Sequence, residues 1–102
     1  MTKFFIKWWV NVEKLPNTPQ EAGKLQMAML EMVKADMKDP RIIDWGQFCN
    51  GANGYAVVEK SEQEIFSMML KYVPVIGFHV TPVLNVDQTI DELKKTAAAM
   101  QA

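Results

Sequence analysis

The sequence predicts an α+β fold of β-α-β-β-α-β order, followed by a further helix at the C-terminus. Three observations predict it. Thr18-Pro19-Gln20-Glu21 and Ser61–Glu64 both have capping-box spacing, in which the hydroxyl accepts from a free N–H of the first turn and the carboxylate reaches back to the cap residue. Each box is followed by apolar residues at helical period. The stretches between the helices alternate, or run apolar, with β-branched and aromatic residues, as strands do.

In chain order, Lys3–Val12 alternates. Phe4, Ile6, Trp8, Val10 and Val12 share an apolar face; Phe5, Lys7, Trp9 and Asn11 share a mixed one. Leu15-Pro16-Asn17 is a loop. The first helix carries Ala22, Leu25, Met29, Met32 and Val33 inward and runs to about Lys38, where Asp39-Pro40 stops it. Arg41–Cys49 reads as a strand, with Ile43, Trp45, Gln47 and Cys49 on one side and Ile42, Asp44, Gly46 and Phe48 on the other. Asn50-Gly51-Ala52-Asn53-Gly54 offers residues that tolerate positive φ in a tight hairpin.

Tyr55-Ala56-Val57-Val58 then suits a strand covered on both faces, ending at Glu59-Lys60. The second helix presents Ile65, Phe66, Met69 and Leu70 as its apolar stripe, and Pro74 cannot continue it. Val75–Leu84 is a fourth strand, with Ile76, Phe78 and Val80 on the apolar face and Gly77, His79 and Thr81 on the mixed one. Asn85–Ala102 forms a last helix, capped by Asn85 or Asp87, with Ile90, Leu93 and Ala97 inward and a fraying tail from Thr96 onward.

Composition narrows the class. A chain of 102 residues without a linker-like shift is one domain, residues 1–102. The net charge is −1 and Arg41 is the sole arginine, so the concentrated positive footprint of a nucleic-acid binder is absent. Cys49, the one cysteine, rules out an intrachain disulfide and fits a reducing compartment. Lys7 interrupts the N-terminal apolar run, no small-residue cleavage site follows, and no stretch approaches the ~20 apolar residues of a membrane span. The expectation is a soluble cytoplasmic protein without membrane contact.

The right-handed crossover rule arranges these strands 4-1-3-2, a ferredoxin-like antiparallel sheet with helices on one face. The other face is bare and aromatic, carrying Phe5 and Trp9, with Trp45 a candidate for the same face. Burying ~500 Å² of apolar surface there would contribute roughly 12 kcal/mol before association costs. A homodimer packed sheet to sheet is therefore expected.

At this point the chain resembles the dimeric α/β-barrel superfamily, whose ferredoxin-like domains pair their sheets into a barrel. The resemblance spans most of residues 3–85. It rests on Gly54-Tyr55-Ala56-Val57-Val58-Glu59, the Ser61–Glu64 cap and Phe78-His79-Val80-Thr81-Pro82-Val83-Leu84. It is strongest toward small bacterial and archaeal members of unassigned function; muconolactone isomerases, cofactor-free monooxygenases and haem enzymes belong to the same superfamily. In the unassigned relatives the second strand often carries Gly, a polar residue, an aromatic and His. Here Gly46-Gln47-Phe48-Cys49 stands there, with Cys in the place of His.

The candidate ligand-binding residues are Lys7, Trp9, Trp45, Gln47, Tyr55 and His79. His79 is the sole histidine, so any imidazole acid–base step rests on it; the alternative is a hydrogen-bonded interface histidine. Trp9, Trp45 and Tyr55 either line a pocket for a flat or apolar ligand or form dimer core. Cys49 would need His79 or a lysine beside it to act as a nucleophile, and is otherwise a small half-buried residue. One His and one Cys do not make a zinc set, haem would have His79 alone as axial ligand, and no cofactor is expected. Two functions remain open: binding of a small apolar or aromatic molecule, extending to a cofactor-free isomerase or monooxygenase, and a non-catalytic homodimeric structural or regulatory module.

Overall fold

A computed structural model of the chain describes residues 2–101. The elements are β1 (Lys3–Val10), a 3-10 turn (Val12–Lys14), α1 (Pro19–Asp36), β2 (Ile42–Gln47), β3 (Asn53–Val58), α2 (Glu62–Met69), β4 (Ile76–Val83) and α3 (Val86–Gln101). The four strands form one antiparallel sheet in the order β2-β3-β1-β4, the ferredoxin-like arrangement that the crossover rule selects. β1 lies inside the sheet, pairing Ile6 with Ala56 on one side and with Val80 on the other.

The alternation in β1 decides which face is core. Phe4, Ile6 and Trp8 are buried under the helices, while Phe5, Lys7 and Trp9 point to the uncovered face. Val12, expected on the apolar face, lies beyond the strand in the 3-10 turn and is exposed. β3 alternates as well: Gly54, Ala56 and Val58 are buried, and Tyr55 and Val57 are half-buried on the open face. It is thus covered by helices on one face only, not on both.

Both hydroxyls cap their helices, but only the Ser61–Glu64 box closes in both directions. Thr18 Oγ1 accepts from the Glu21 N–H at 3.2 Å. Ser61 Oγ accepts from the Glu64 N–H at 3.2 Å, and Glu64 Oε1 accepts from the Ser61 N–H at 3.1 Å. α1 turns Leu25, Met29, Met32 and Val33 onto the Trp8 end of the sheet, and α2 sets Ile65, Met68 and Met69 against Phe4, Ile6 and Val58. Phe66 and Leu70, expected in the stripe of α2, lie outside it; Phe66 is 66% exposed. In so short a helix the sheet contact selects Ile65, Met68 and Met69, a narrower arc than sequence alone defines.

Two further expectations are corrected. The connection from β2 to β3 contains no positive φ among the described residues, so its glycines are not there for left-handed backbone. Gly54 serves close approach instead: a methyl group there would collide with the Gly46 carbonyl oxygen and the Trp8 ring. α3 also does not fold inward. Every residue from Leu84 to Gln101 is exposed, Ile90, Leu93 and Ala97 among them. The helix projects from the body, which gives principal extents of 65 × 25 × 23 Å. Its cap is reciprocal, as Asn85 Oδ1 accepts from the Gln88 N–H and Gln88 Oε1 from the Asn85 N–H, and its tail stays helical through Gln101.

An ion-pair cluster ties the start of β2 to α2. Arg41 donates to Asp39 at 2.9 Å and to Glu64 at 2.6 Å, and Lys60 lies 3.1 Å from Asp39. The Arg41 guanidinium holds the Asp39 carboxyl well below its ordinary range. The Glu64 carboxyl is lowered first by the Ser61 N–H and then by Arg41. Depressed carboxylate pKa values contribute stability above the unfolded-state pKa that is lost as pH falls through the folded-state pKa. Arg41→Ala brings both carboxyls back toward their ordinary range. The variant is therefore expected to be less stable than the parent near pH 7, read as a lower urea midpoint, with the gap closing as acid protonates both carboxyls.

Candidate functional site

The helix-covered face holds a cavity of about 140 Å³ where the two core clusters meet. Its floor is the sheet, through Ile6, Trp8, Trp45 and Ala56; its roof is α1 and α2, through Met29, Val33 and Met68. The Trp8 and Trp45 rings stack at 5.4 Å and 11°, and Trp8 Nε1 donates to the Tyr55 carbonyl at 3.3 Å. Trp45 reaches this face because a bulge in β2 between Ile42 and Asp44 resets the alternation. Ile42 is buried, Ile43 is thrown outward, Asp44 takes the open face, and Trp45 and Gln47 take the helix face.

The polar groups on the lining are few. Gln26, Gln47, Asp36 and the Tyr72 phenol are among them. Tyr72 Oη donates to Asp36 Oδ2 at 2.6 Å, and Lys71 Nζ pairs with Asp36 Oδ1 at 2.5 Å. Burial, followed by the bond to Asp36, pushes the Tyr72 hydroxyl far above its ordinary pKa, so the phenol stays a donor across the physiological range. A mostly apolar concavity with a few convergent polar atoms is the usual chemistry of a small-molecule site.

The open face groups other side chains. Tyr55 stacks between Phe5, at 6.1 Å and 6°, and Phe48, at 6.0 Å and 24°. Its hydroxyl donates to Asp44 Oδ2 at 2.6 Å, and that bond is the main cause of its raised pKa. Trp9 lies over Gly77 of β4 and donates to Asn11 Oδ1 at 3.2 Å, while Asn11 Nδ2 donates to the Pro74 carbonyl at 2.8 Å. Lys7 sits between Tyr55 and His79 in the strand register, and His79 is exposed. This face presents Phe5 at 37% and Trp9 at 38% exposure, with Lys7 between them.

The candidate residues therefore fall on opposite sides of the sheet. Trp45 and Gln47 line the cavity; Lys7, Trp9, Tyr55 and His79 occupy the open face. The expectation that Trp45 shares a face with Trp9 is corrected by the β2 bulge. Cys49 follows β2 and His79 is in β4, at opposite edges of the sheet, so three strand spacings of ~4.8 Å part them and His79 does not activate the thiol. Trp8, Asp36 and Tyr72 were not singled out from sequence. One signal existed: Asp36 ends α1, where the helix dipole disfavours a carboxylate unless something else holds it.

Among the described residues there is no cluster of three or more His, Cys, Asp or Glu side chains arranged for a metal, and no helix is long and apolar enough to cross a membrane. The chain matches no protein-family model and no curated protein.

Proposed function

We propose that this chain is a dimeric α/β-barrel protein that binds a compact apolar molecule, a single aromatic ring or its equivalent, between its sheet and its helices. The cavity carries this reading. Its volume of about 140 Å³ is close to that of apolar cavities, near 150 Å³, that stay dry and take up benzene. The stacked indoles of Trp8 and Trp45 supply a flat wall, and the hydrogen-bonded Asp36–Tyr72 pair supplies a polar end. Cofactor-free turnover, as an isomerase or monooxygenase, is the activity that the superfamily resemblance extends to this cavity.

The second reading, a homodimeric structural or regulatory module, is favoured by a separate observation: the aromatic row of Phe48, Tyr55, Phe5 and Trp9 on the open face. The two readings occupy different faces of one sheet and are tested independently. Monocyclic aromatic acids and quinones, screened by thermal shift, test the first. A binder at a hundredfold excess over its Kd contributes about 2.7 kcal/mol, a Tm rise of at least about 10 °C for a domain of this size. Val33→Phe fills the cavity from α1 and is expected to abolish that rise while keeping or raising the unliganded Tm. The reading fails if no member of the panel stabilises the unmodified chain, or if Val33→Phe responds as the unmodified chain does.

A further inference from the structure

Val86, Ile90, Leu93, Ala97 and Met100 follow one another at intervals of four, three, four and three residues along α3. That is the a/d seam of a coiled coil, a narrower stripe than a helix lying on a globular core presents. All five are exposed, with Val86 at 73% and Leu93 at 65%. A 16-residue helix without tertiary contact is marginal in water, because nucleation and backbone ordering offset its hydrogen bonds. The seam therefore calls for a cover, and the charges beside it say which one. With Ile90 and Ala97 at a and Leu93 at d, Asp87 and Lys94 both fall at e. Neither flanking g position, Thr89 or Thr96, is charged.

In an antiparallel pair the e positions of the two helices face each other. Setting Ile90 of one copy against Leu93 of another also sets Val86 against Ala97 and brings Asp87 opposite Lys94, twice by symmetry. A parallel pair would leave Asp87 and Lys94 facing uncharged Pro82 and Thr89, with aligned rather than opposed helix dipoles. We propose that the seam of α3 is covered by the α3 of a second copy, antiparallel, with Ile90 layered on Leu93 and Asp87 paired with Lys94. The pairing is independent of what covers the open sheet face and of what fills the cavity.

Disulfide trapping tests it in the full chain with Cys49→Ser as background. Chains carrying Ile90→Cys and chains carrying Leu93→Cys are co-expressed and oxidised. The mixed Ile90–Leu93 disulfide is expected to dominate over either self-linked species. Adding Asp87→Lys to both chains replaces two attractions with two repulsions and is expected to slow trapping by about tenfold; adding Lys94→Asp as well restores it. Because α3 touches no core residue, the thermal midpoint of the folded body is expected to match the parent in every variant. Self-linked Ile90→Cys as the main product, no interchain disulfide, or a trapping rate indifferent to the charge swaps each overturns the proposal.

Discussion

With Leu93→Asp added to remove any pairing through α3, a Trp9→Asp chain is expected to sediment near 11.6 kDa at micromolar concentration, where the chain with Leu93→Asp alone is expected to sediment near twice that mass. Trp9 is on the open face of the central strand β1, over Gly77 and on the same face as the Phe48–Tyr55–Phe5 stack. Trp9 is 38% exposed, so of the ~200 Å² an indole can bury only about 80 Å² is left for an interface, which at ~25 cal/mol per Å² is ~2 kcal/mol lost per copy. A two-fold interface loses it twice. An aspartate there would also bring an unpaired carboxylate into the interface, a cost that shifts the equilibrium in the same direction. Since 1.4 kcal/mol is tenfold in affinity, losing both copies' share, ~4 kcal/mol, weakens dimerisation by roughly several hundredfold. The fold is expected to persist, because the packed face of β1 is the one carrying Phe4, Ile6 and Trp8. In that Leu93→Asp background, a chain with Trp9 intact that sediments as a monomer, or a Trp9→Asp chain that stays a dimer, sinks the assembly reading.

The second large effect lies on the other face. Ile6→Ala is expected to lower the unfolding free energy by about 2–5 kcal/mol, the cost of lost apolar burial plus the void left behind. Ile6 is only 2% exposed and packs among Phe4, Ala56 and Val58 at the middle of the sheet. Against a total of 5–15 kcal/mol typical of a small domain, that is a large fraction. Phe66→Ala, in contrast, is expected to stay within about 0.5 kcal/mol, since the ring points away from the sheet. Urea midpoints of the two variants, measured together, check both. Equal destabilisation by the two would mean that α2 is rotated from the position described.

That contrast also marks how far the sequence could be read. The two-residue period of β1 separated Phe4, Ile6 and Trp8 from Phe5, Lys7 and Trp9, because adjacent side chains of a strand must point to opposite faces. The paired Ser61 and Glu64 placed the start of α2 by local hydrogen bonding alone. The same reading put Phe66 and Ile65 in one stripe, since an eight-residue helix offers too few turns to say which edge of a broad apolar arc meets the sheet. The candidate site was legible in its residue types more than in its grouping. A bulge inserts one residue without a compositional mark, so the face taken by Trp45 and Gln47 was hidden, and with it the cavity they share with Trp8 and Met29. Asp36 and Tyr72 meet across 36 residues of chain, a contact no local pattern encodes.

By itself, then, the sequence determined the element order, the helix starts, the strand order and the presence of an aromatic sheet face, all of which follow from short-range stereochemistry and the handedness of crossovers. Only the tertiary structure decided that the candidate residues divide between two faces, that a cavity lies under the helices, and that α3 stands clear of the body with its a/d seam in water. The physical reason is that these outcomes depend on which surfaces meet across the sheet, and periodicity states that a face is apolar without stating what covers it.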